Sequence, residues 1–517
     1  MTNTATHIKP ASAAASSARS APTPTTLPLL SRESGDSLVD QIVRTVQSRI
    51  DDKLLRTGAR MPSIRQFAEL HGVSRFTVVE AYDRLVAQGF LESRRGSGFY
   101  VRERSPVAGT ASTGTVVALH SNHAHGGSNS NETGSGDHRV SQRQQLDVVW
   151  LVRNMFRQMP PQKMPGGGLL PPDWLDGDLI GNGLRAVGRQ NQSLLTYGTP
   201  QGFLPLRQQL QLKLAELEIA AAPEQIVMTA GVTQALDIVA RHFLRPGDVI
   251  FVDDPAWFLM FGSFAAMGAK VIGIPRLADG PDIARLAELA AVHKPRLYVI
   301  NSVLHNPSST SLSAAKAFQI LRLAEEHDFT IVEDDIYCDM HPGAGVQAAT
   351  RIAALDQLQR VIYLGGFSKT LSANLRVGFI ATSLELARHL ADRKMLSTLT
   401  TSEIGERVIY KILSEGHYRK HAERLRNRLN GARDKVVRQL ERVGLDTGLA
   451  TASGMFVWTD AGCDTNVLTE KAMAQGFLLA PGSLFSPNQL PSTKMRINVA
   501  SMGDPGIWKF FEQELGR

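Results

Sequence analysis

A polar stretch at residues 105–145 divides this chain of 517 residues into two parts that can fold separately. It contains the runs GTASTGT and HAHGGSNSNETGSGD, with almost no large apolar residue after Leu119. Segments of this composition act as flexible tethers because they have little apolar surface to bury. Residues 1–36, rich in Ala, Ser, Thr and Pro, are predicted to be a disordered tail for the same reason. We therefore expect one domain at 37–104, a linker at 105–145 and a second domain at 146–517.

Composition indicates soluble, globular domains, with 43% hydrophobic and 20% charged residues. The two cysteines, Cys338 and Cys463, cannot form a disulfide framework, and no His and Cys cluster predicts a metal site. No apolar run is long enough to span a bilayer, so no membrane partner is expected. The N-terminal tail lacks the apolar segment of a secretory signal, and a transit peptide is the weaker alternative. A cytoplasmic protein is predicted.

Residues 38–101 carry the pattern of three short helices followed by a hairpin. The apolar residues of the first helix recur at helical spacing: Leu38, Val39, Ile42, Val43, Val46 and Ile50. Ser63 and Gln66 form a capping box before the second helix, and Gly72 suits the left-handed turn that ends it. Ser74 caps the third helix, after which FLESRRGSGFYV predicts two short strands around a glycine turn. This order predicts a winged helix-turn-helix.

In a helix-turn-helix, the third helix enters the major groove with its N-terminus first, and a wing reaches the backbone or minor groove. The predicted DNA contacts are Arg65, Ser74, Arg75, Thr77, Arg94, Arg95 and Gly96. Of these, Arg75 and Thr77 would face base edges, whereas Arg65 and Ser74 would face phosphates. The segment from Leu38 to Arg104 holds twelve Lys and Arg against eight Asp and Glu, which favours a polyanionic partner. Each element alone would also fit a domain that only dimerises.

The segments MPSIRQFAEL, GVSRFTVVEAYDRLVAQG and RRGSGFYV together resemble the GntR family of bacterial repressors. The family's pattern reads LPSxRxLA, GVSRxTVxxAYxxLxxxG and RxGSGxxV, and the likeness covers almost all of residues 38–101. The resemblance implies binding to double-stranded operator DNA. It also implies a homodimer, whose paired heads read paired half-sites.

From Val148 to the C-terminus, apolar strand patterns alternate with amphipathic helices, which predicts an α/β domain with a largely parallel sheet. In such sheets, ligand-binding groups lie just past the C-terminal ends of the strands. The residues in such positions are Trp257, Asn306, Asp334, Tyr337, Lys369 and Arg376, and Arg496 lies within a later strand. A glycine turn at Ala230–Thr233 precedes a helix predicted to begin near Gln234. Singly each residue fits a structural role, but together they predict one site.

This order resembles the fold-type I, class I/II aminotransferases over roughly residues 148–517. The resemblance implies pyridoxal 5'-phosphate (PLP) as cofactor, a large lobe at about 200–395, and a small lobe formed by 396–517 with an N-terminal arm. It assigns Lys369 as the catalytic Schiff-base lysine, Asp334 as the partner of the pyridine nitrogen and Arg496 as the holder of a substrate or effector carboxylate. The other implied cofactor contacts are Asn306 and Tyr337 at the ring hydroxyl, Trp257 stacked on the ring, Arg376, Val232 and Thr233 at the phosphate, Ser368, and Tyr197 from a partner subunit.

Two features of the chain depart from the usual aminotransferase pattern. Residues 306–309 read NPSS instead of NPTG, and Gly366 replaces a serine that often binds the phosphate, so one phosphate bond is expected to be missing. Seven positions separate Lys369 from Arg376 in SKTLSANLR, which is similar to the SKTLAPGLR of the regulator branch, with Ala373 and Asn374 as replacements.

The two halves together resemble the MocR type of transcriptional regulator. This resemblance implies a DNA-binding regulator that senses an amine, an amino acid or PLP through an aldimine at Lys369. The alternative is a functional PLP-dependent aminotransferase with an accessory DNA-binding domain. Residual transamination is compatible with both, so whether the chain is an enzyme stays open at this point.

Overall fold

The computed structural model describes residues 36–94, 97–102, 159–189, 194–343, 349–448 and 453–516. The chain forms two compact units, Met1–Pro106 and Val107–Arg517, here called the head and the body. The predicted tail, apart from Asp36, and the predicted linker lie outside the described residues, as do Arg95 and Gly96. No helix in the described ranges is both long enough and apolar enough to cross a membrane.

The head is a winged helix-turn-helix, as predicted. Its elements are α1 (Leu38–Asp51), α2 (Ile64–His71), α3 (Arg75–Ala87), β1 (Leu91–Arg94) and β2 (Gly98–Val101). The two strands pair in antiparallel register from Leu91↔Val101 to Arg94↔Gly98. The core is centred on Tyr82, which is fully buried and makes edge-on contacts with Phe67 and Phe99 at 5.5 and 5.0 Å between ring centroids. The phenol of Tyr82 donates to the carbonyl of Pro62.

The predicted caps of the head helices are present. The Ser63 hydroxyl accepts from the backbone N–H of Gln66, whose side-chain oxygen accepts from the Ser63 N–H, which completes the capping box. Gly72 ends α2 with φ of 63°, a conformation that costs glycine little. Ser74 caps α3 through the N–H of Thr77. These caps fix where α3 begins, and so which residues stand at its exposed tip.

The body is an α/β unit with two sheets. Its strands are β3 (Ile226–Thr229), β4 (Val249–Asp254), β5 (Lys270–Leu277), β6 (Gly280–Pro281), β7 (Leu297–Ile300), β8 (Thr330–Asp334), β9 (Val361–Gly366), β10 (Gly378–Ala381), β11 (Phe456–Asp460), β12 (Ala480–Pro481) and β13 (Lys494–Asn498). Its α-helices are α4 (Gly177–Gly188), α5 (Leu204–Glu216), α6 (Val232–Phe243), α7 (Leu259–Ala266), α8 (Ile283–His293), α9 (Ala314–Glu326), α10 (Ile352–Asp356), α11 (Leu384–Thr398), α12 (Glu403–Ser414), α13 (His417–Arg442), α14 (Thr465–Ala474) and α15 (Pro505–Leu515).

The larger sheet has the strand order β3-β10-β9-β8-β7-β4-β5-β6. Strands β9, β8, β7, β4 and β5 run parallel to one another, whereas β10 and β6 are antiparallel to their neighbours. Strands β3, β7, β9 and β10 are buried at every residue, because a largely parallel sheet is covered by other elements on both faces. The predicted α/β fold with a mainly parallel sheet is confirmed.

The smaller sheet has the order β11-β13-β12 and is wholly antiparallel. Trp458 lies opposite Arg496, and the register therefore puts both side chains on the same face of this sheet. Helix α6 begins at Val232, two residues before the predicted Gln234. The reason is that Gly231, with φ of 81°, already turns the chain from β3 into the helix.

Candidate functional site

Three neighbouring parallel strands bring the main predicted residues to one edge of the larger sheet. Asp334 is the last residue of β8, Lys369 follows the end of β9 by three residues, and Asn306 follows the end of β7 by six. The amine of Lys369 lies 6.0 Å from the ring centroid of Tyr337, which is almost fully buried. The order β9-β8-β7 therefore places an amine, a carboxylate, an amide and a phenol together, as the sequence predicts.

Burial shifts the pKa values of the central pair towards neutrality. The pKa of Asp334 is raised to about 7, mainly by burial, although the N–H of Ile336 bonds its carboxylate at 3.1 Å and Lys369 opposes the shift. The pKa of Lys369 is lowered to about 8, mainly by burial and further by the charges of Arg496 and Arg376. A lysine with such a pKa is partly neutral near pH 7, which is the form in which an amine acts as a nucleophile.

Asn301, directly after β7, is a positioning residue that the sequence analysis missed. Its side-chain N–H donates to the backbone carbonyl of Asp334, and its side-chain oxygen accepts from the backbone N–H of Asn306 at 3.0 Å. One amide thus fixes the strand end that carries the carboxylate and the loop that carries the second amide. Its position directly after a strand is the feature of the sequence from which its role could have been predicted.

Arg496 lies beneath this cluster and is only 1% exposed. Its guanidinium stands 4.4 and 4.9 Å from the ring centroids of Phe456 and Phe485, and it donates to the side-chain oxygen of Asn306 at 2.9 Å. Its Nε has no hydrogen-bond partner among the described residues, and burial lowers its pKa to about 10. A planar cation held between two rings can grip a carboxylate in a fixed orientation.

The segment 165–168, which reads PGGG and which we call the glycine strap, runs across the cluster. The carbonyl of Gly166 accepts from Arg496 at 2.6 Å, and the carbonyl of Gly168 accepts from the Lys369 amine at 2.7 Å. A Cβ at Gly166 would lie 2.3 Å from the backbone carbon of Leu479, so only glycine fits there. This segment could not be identified as part of a site from the sequence, because a glycine-rich run is typical of any loop.

Arg376 and the start of α6 form a second pole of the site. Arg376 donates to the carbonyl of Ala230 at 2.9 Å, and a Cβ at Gly231 would lie 2.6 Å from its guanidinium. Gly231 provides no side-chain cap, so the first N–H groups of α6, at Val232 and Thr233, point out of the helix end. A helix N-terminus beside an arginine attracts an anion such as a phosphate.

The sequence predicts three further cofactor contacts that the bonds described above do not include. Trp257 lies three residues past β4 and is partly buried against the body core, and Ser368 is partly buried directly before Lys369. Tyr197 is 81% exposed, so it lies on the surface of its own chain. Gly366 is buried in β9 and faces Gly378 of β10, where an added Cβ would lie 3.0 Å from Ile336 and 3.2 Å from the carbonyl of Val377. Close packing therefore favours glycine over serine at position 366.

The predicted DNA contacts on α2 and at the tip of α3 differ in whether their side chains already bond other residues. Arg75 is exposed, whereas the hydroxyls of Ser74 and Thr77 bond each other at 2.8 Å. Arg65 pairs with Glu69 at 2.9 Å on the surface, a contact that water weakens and a phosphate can replace.

The wing has one aromatic contact, and the tip of α3 has one exposed aromatic residue. In the wing, Arg94 pairs with Glu92 and lies 4.4 Å from the ring centroid of Tyr100. Phe76, between Arg75 and Thr77, is 88% exposed and was missed, although a large apolar residue at the start of a recognition helix is a usable signal.

Comparison with known proteins gives matches for both units. Residues 179–511 match the family described as aminotransferase class I and II, and residues 38–101 match the bacterial regulatory proteins of the gntR family. The uncharacterized HTH-type transcriptional regulator YisV of Bacillus subtilis is 26% identical, over 89% of this chain and 93% of its own length. The probable rhizopine catabolism regulatory protein MocR of Rhizobium meliloti is 28% identical, over 79% of this chain and 78% of its own length.

Among solved structures, the chain is similar to the kynurenine aminotransferase of Pyrococcus horikoshii in complex with PMP. The identity is 27% and the TM-score is 0.65, with 72% of this chain and 93% of the enzyme covered. The match to YisV covers 89% of this chain, which is more than the body alone, so the likeness to that regulator extends to both units.

Proposed function

Because the chain belongs to the class I and II aminotransferase family over its body and carries a GntR-family head, as MocR-type regulators do, we propose that it is a PLP-dependent DNA-binding regulator. The body senses an amine, an amino acid or PLP itself at Lys369, and the head binds double-stranded operator DNA. The observation that carries the proposal is the convergence of Lys369, Asp334 and Arg496 on one site in a chain that also has a winged helix.

The side chains at this site suit PLP as a cofactor. The similar kynurenine aminotransferase has PMP bound in its structure, which is consistent with this choice. Arg376 and the N–H groups of Val232 and Thr233 form an anion seat of the kind that holds a phosphate. Asp334 is a buried carboxylate with a raised pKa, which a protonated ring nitrogen would favour in its charged form. In this proposal Tyr337 and Asn306 hold the ring hydroxyl, and Trp257, Ser368 and the partner's Tyr197 complete the contacts.

PLP supplies an aldehyde that accepts a primary amine and a ring that withdraws electrons from it. Lys369 would provide the amine that holds the cofactor covalently, and its lowered pKa makes the neutral, reactive form accessible near pH 7. Asp334 would hold a proton on the ring nitrogen and so keep the ring electron-withdrawing. When the Lys369 amine is not attached to the cofactor, the carbonyl of Gly168 serves as its acceptor.

The site also suggests how a ligand is recognised and how its binding is transmitted. A carboxylate on the ligand would take the Arg496 donors that now meet Gly166 and would displace the glycine strap. Arg496 belongs to the smaller sheet and Asn306 follows a strand of the larger one, so a ligand bound to both favours one arrangement of the two sheets. The strap lies near the start of the described part of the body and follows the segment that joins the body to the head, which gives the signal a covalent route.

A homodimer in the cytoplasm completes the proposal. Tyr197 and Leu195 are 81% and 84% exposed in a single chain, as expected of residues that reach a partner subunit. Two heads held by a dimeric body can read two half-sites of an operator.

The second candidate, a working aminotransferase, is favoured by the presence of lysine, aspartate, asparagine and arginine at the site and by the likeness to an enzyme. One experiment distinguishes the two candidate functions. Amino acids and amines are titrated into the PLP-loaded chain while its visible spectrum and its keto-acid production are recorded. A regulator shifts its spectrum with one ligand and makes at most a single equivalent of keto acid. Sustained keto-acid production at ordinary enzymatic rates of about 1–1000 per second would support the second candidate instead.

We expect Phe76→Ala to weaken operator binding about tenfold, because the exposed ring can bury itself against a thymine methyl group in the major groove. The test uses duplexes selected in vitro from random sequence, in which uracil replaces each thymine in turn to remove its methyl group. At one position, the replacement of thymine by uracil should lower the affinity of the unchanged chain for the duplex. The affinity of Phe76→Ala should not change on that replacement. Leu54→Ala, which removes a 57% exposed residue outside α3, is the matched control. Equal binding by both variants would contradict the assignment.

A further inference from the structure

A second cleft lies between the two sheets of the body, beside the Lys369 site. Its volume is about 490 Å³, and its walls come from the ends of β4 and β5, the turn after Asn306, and the smaller sheet with its loops. Among the described residues that line it, none is Lys369, Asp334, Tyr337 or Arg496. The cleft is therefore a separate space, bounded by both sheets.

The charges around this cleft favour an anion. Three cationic side chains, Arg276, Arg433 and Lys494, contribute to the lining, against one carboxylate, Asp254. The Asp254 carboxylate accepts from the Ser486 hydroxyl at 3.0 Å, and burial raises its pKa, which reduces its repulsion of an anion. Lys494 is exposed, so its long side chain can turn towards a ligand at little cost.

The hydrogen bonds of Arg276 independently indicate that an acceptor for its guanidinium is missing. Its side chain is 1% exposed and donates through one terminal nitrogen to Asp253 at 2.6 Å. Its Nε and its other terminal nitrogen have no hydrogen-bond partner within the described part of the chain. Buried guanidinium donors without partners are costly, so such a group beside a cleft indicates a place where a ligand oxygen can bind.

The remaining walls supply an apolar face and hydroxyl groups. Trp458 and Leu490 contribute apolar surface, and the centroid of the Trp458 ring lies 5.4 Å from that of Phe485. Ser308 and Thr310 contribute hydroxyl groups, which lie 2.9 Å apart. Both hydroxyls follow directly on the turn that carries Asn306, so a ligand here would touch the loop that also serves the Lys369 site.

We propose that this cleft binds a small organic anion with an aromatic or apolar part, at a site distinct from Lys369. The anionic group meets Arg276 and Lys494, and the apolar part lies against Trp458. Because the walls come from both sheets, an occupant favours the arrangement in which the sheets are close together. The proposal does not depend on PLP.

The test uses benzoate as the probe, which has both a carboxylate and a ring, and measures its binding to the full-length PLP-loaded chain by calorimetry. Acetate, which lacks the ring, and benzyl alcohol, which lacks the charge, should each bind more weakly than benzoate. Arg276→Met should weaken benzoate binding about fivefold or more, and Lys494→Gln, which removes an exposed cation, should weaken it up to about fivefold. Lys509→Gln, an exposed lysine elsewhere in the body, is the matched charge control.

Arg496→Gln separates this cleft from the Lys369 site, because it removes any benzoate bound at Arg496 and leaves the part of the calorimetric signal that Lys494→Gln and Arg276→Met remove. The proposal is overturned if Lys494→Gln binds benzoate as well as Lys509→Gln does, if only Arg496→Gln lowers the affinity, or if no binding is seen up to about 10 mM. Should Arg276→Met fail to fold because Asp253 keeps its bond from Tyr298 but loses its arginine partner, Lys494→Gln decides the matter, since the Lys494 side chain is exposed.

Discussion

The Lys369→Ala chain is expected to lose the visible absorbance of bound PLP and to bind the cofactor about a hundredfold more weakly, a change of ~2.7 kcal/mol. The reason is that the Lys369 amine lies beside Asp334 and Tyr337, where it can hold the cofactor covalently. Reduction of the PLP-loaded chain with borohydride, followed by peptide mapping, should place the cofactor on the peptide that contains Lys369.

Lys394 provides an internal control for this prediction. Its pKa is also lowered to about 8 by burial, but its amine donates to the carbonyl of Met228, away from Asp334. If a low pKa alone decided where PLP attaches, the peptide containing Lys394 would be labelled as well. Labelling of Lys394 in place of Lys369 would refute the site, while exclusive labelling of Lys369 would support it.

Arg496→Gln is expected to weaken the response to an amino acid about a hundredfold and the response to the corresponding amine, which lacks the carboxylate, less than about threefold. The variant loses a charge-assisted, two-point bond to the carboxylate of the amino acid. The amine has no carboxylate and never makes this bond, so it has little to lose. The measurement is the ligand concentration at half of the spectral shift, for each member of the pair.

Arg496→Lys sharpens this test because it keeps the charge but loses the planar fork held between Phe456 and Phe485. We expect its response to the amino acid to lie between those of the unchanged chain and Arg496→Gln. If the responses to the amino acid and to the amine weakened equally, Arg496 would support the fold of the site and would not bind the ligand's carboxylate.

The elements that carry the site could be predicted from sequence because parallel strands buried on both faces appear as continuous apolar runs. Polar residues follow these runs closely, and so Asp334 at the end of β8, Lys369 three residues past β9 and Asn306 six residues past β7 could be predicted to lie near one another. The caps of the head helices were predictable in the same local way, from Ser63, Gly72 and Ser74.

Contacts that join distant parts of the chain could not be predicted in this way. The glycine strap meets Arg496 from 330 positions away, and its bonds come from backbone carbonyls, which no side chain reveals. The rings of Phe456 and Phe485 around Arg496 depend on packing between separate elements. The orphan donors of Arg276 are likewise visible only once the fold places them beside the second cleft.

The measurement that tests the central claim most directly is the affinity of the PLP-loaded chain for an operator duplex, with and without the ligand that shifts its spectrum. Fluorescence anisotropy with a duplex selected in vitro should give a dissociation constant that changes at least about fivefold on adding the ligand. The same ligand should leave the affinity of Lys369→Ala unchanged. An operator affinity that is indifferent to both PLP and the ligand, or that responds equally in Lys369→Ala, would contradict the account.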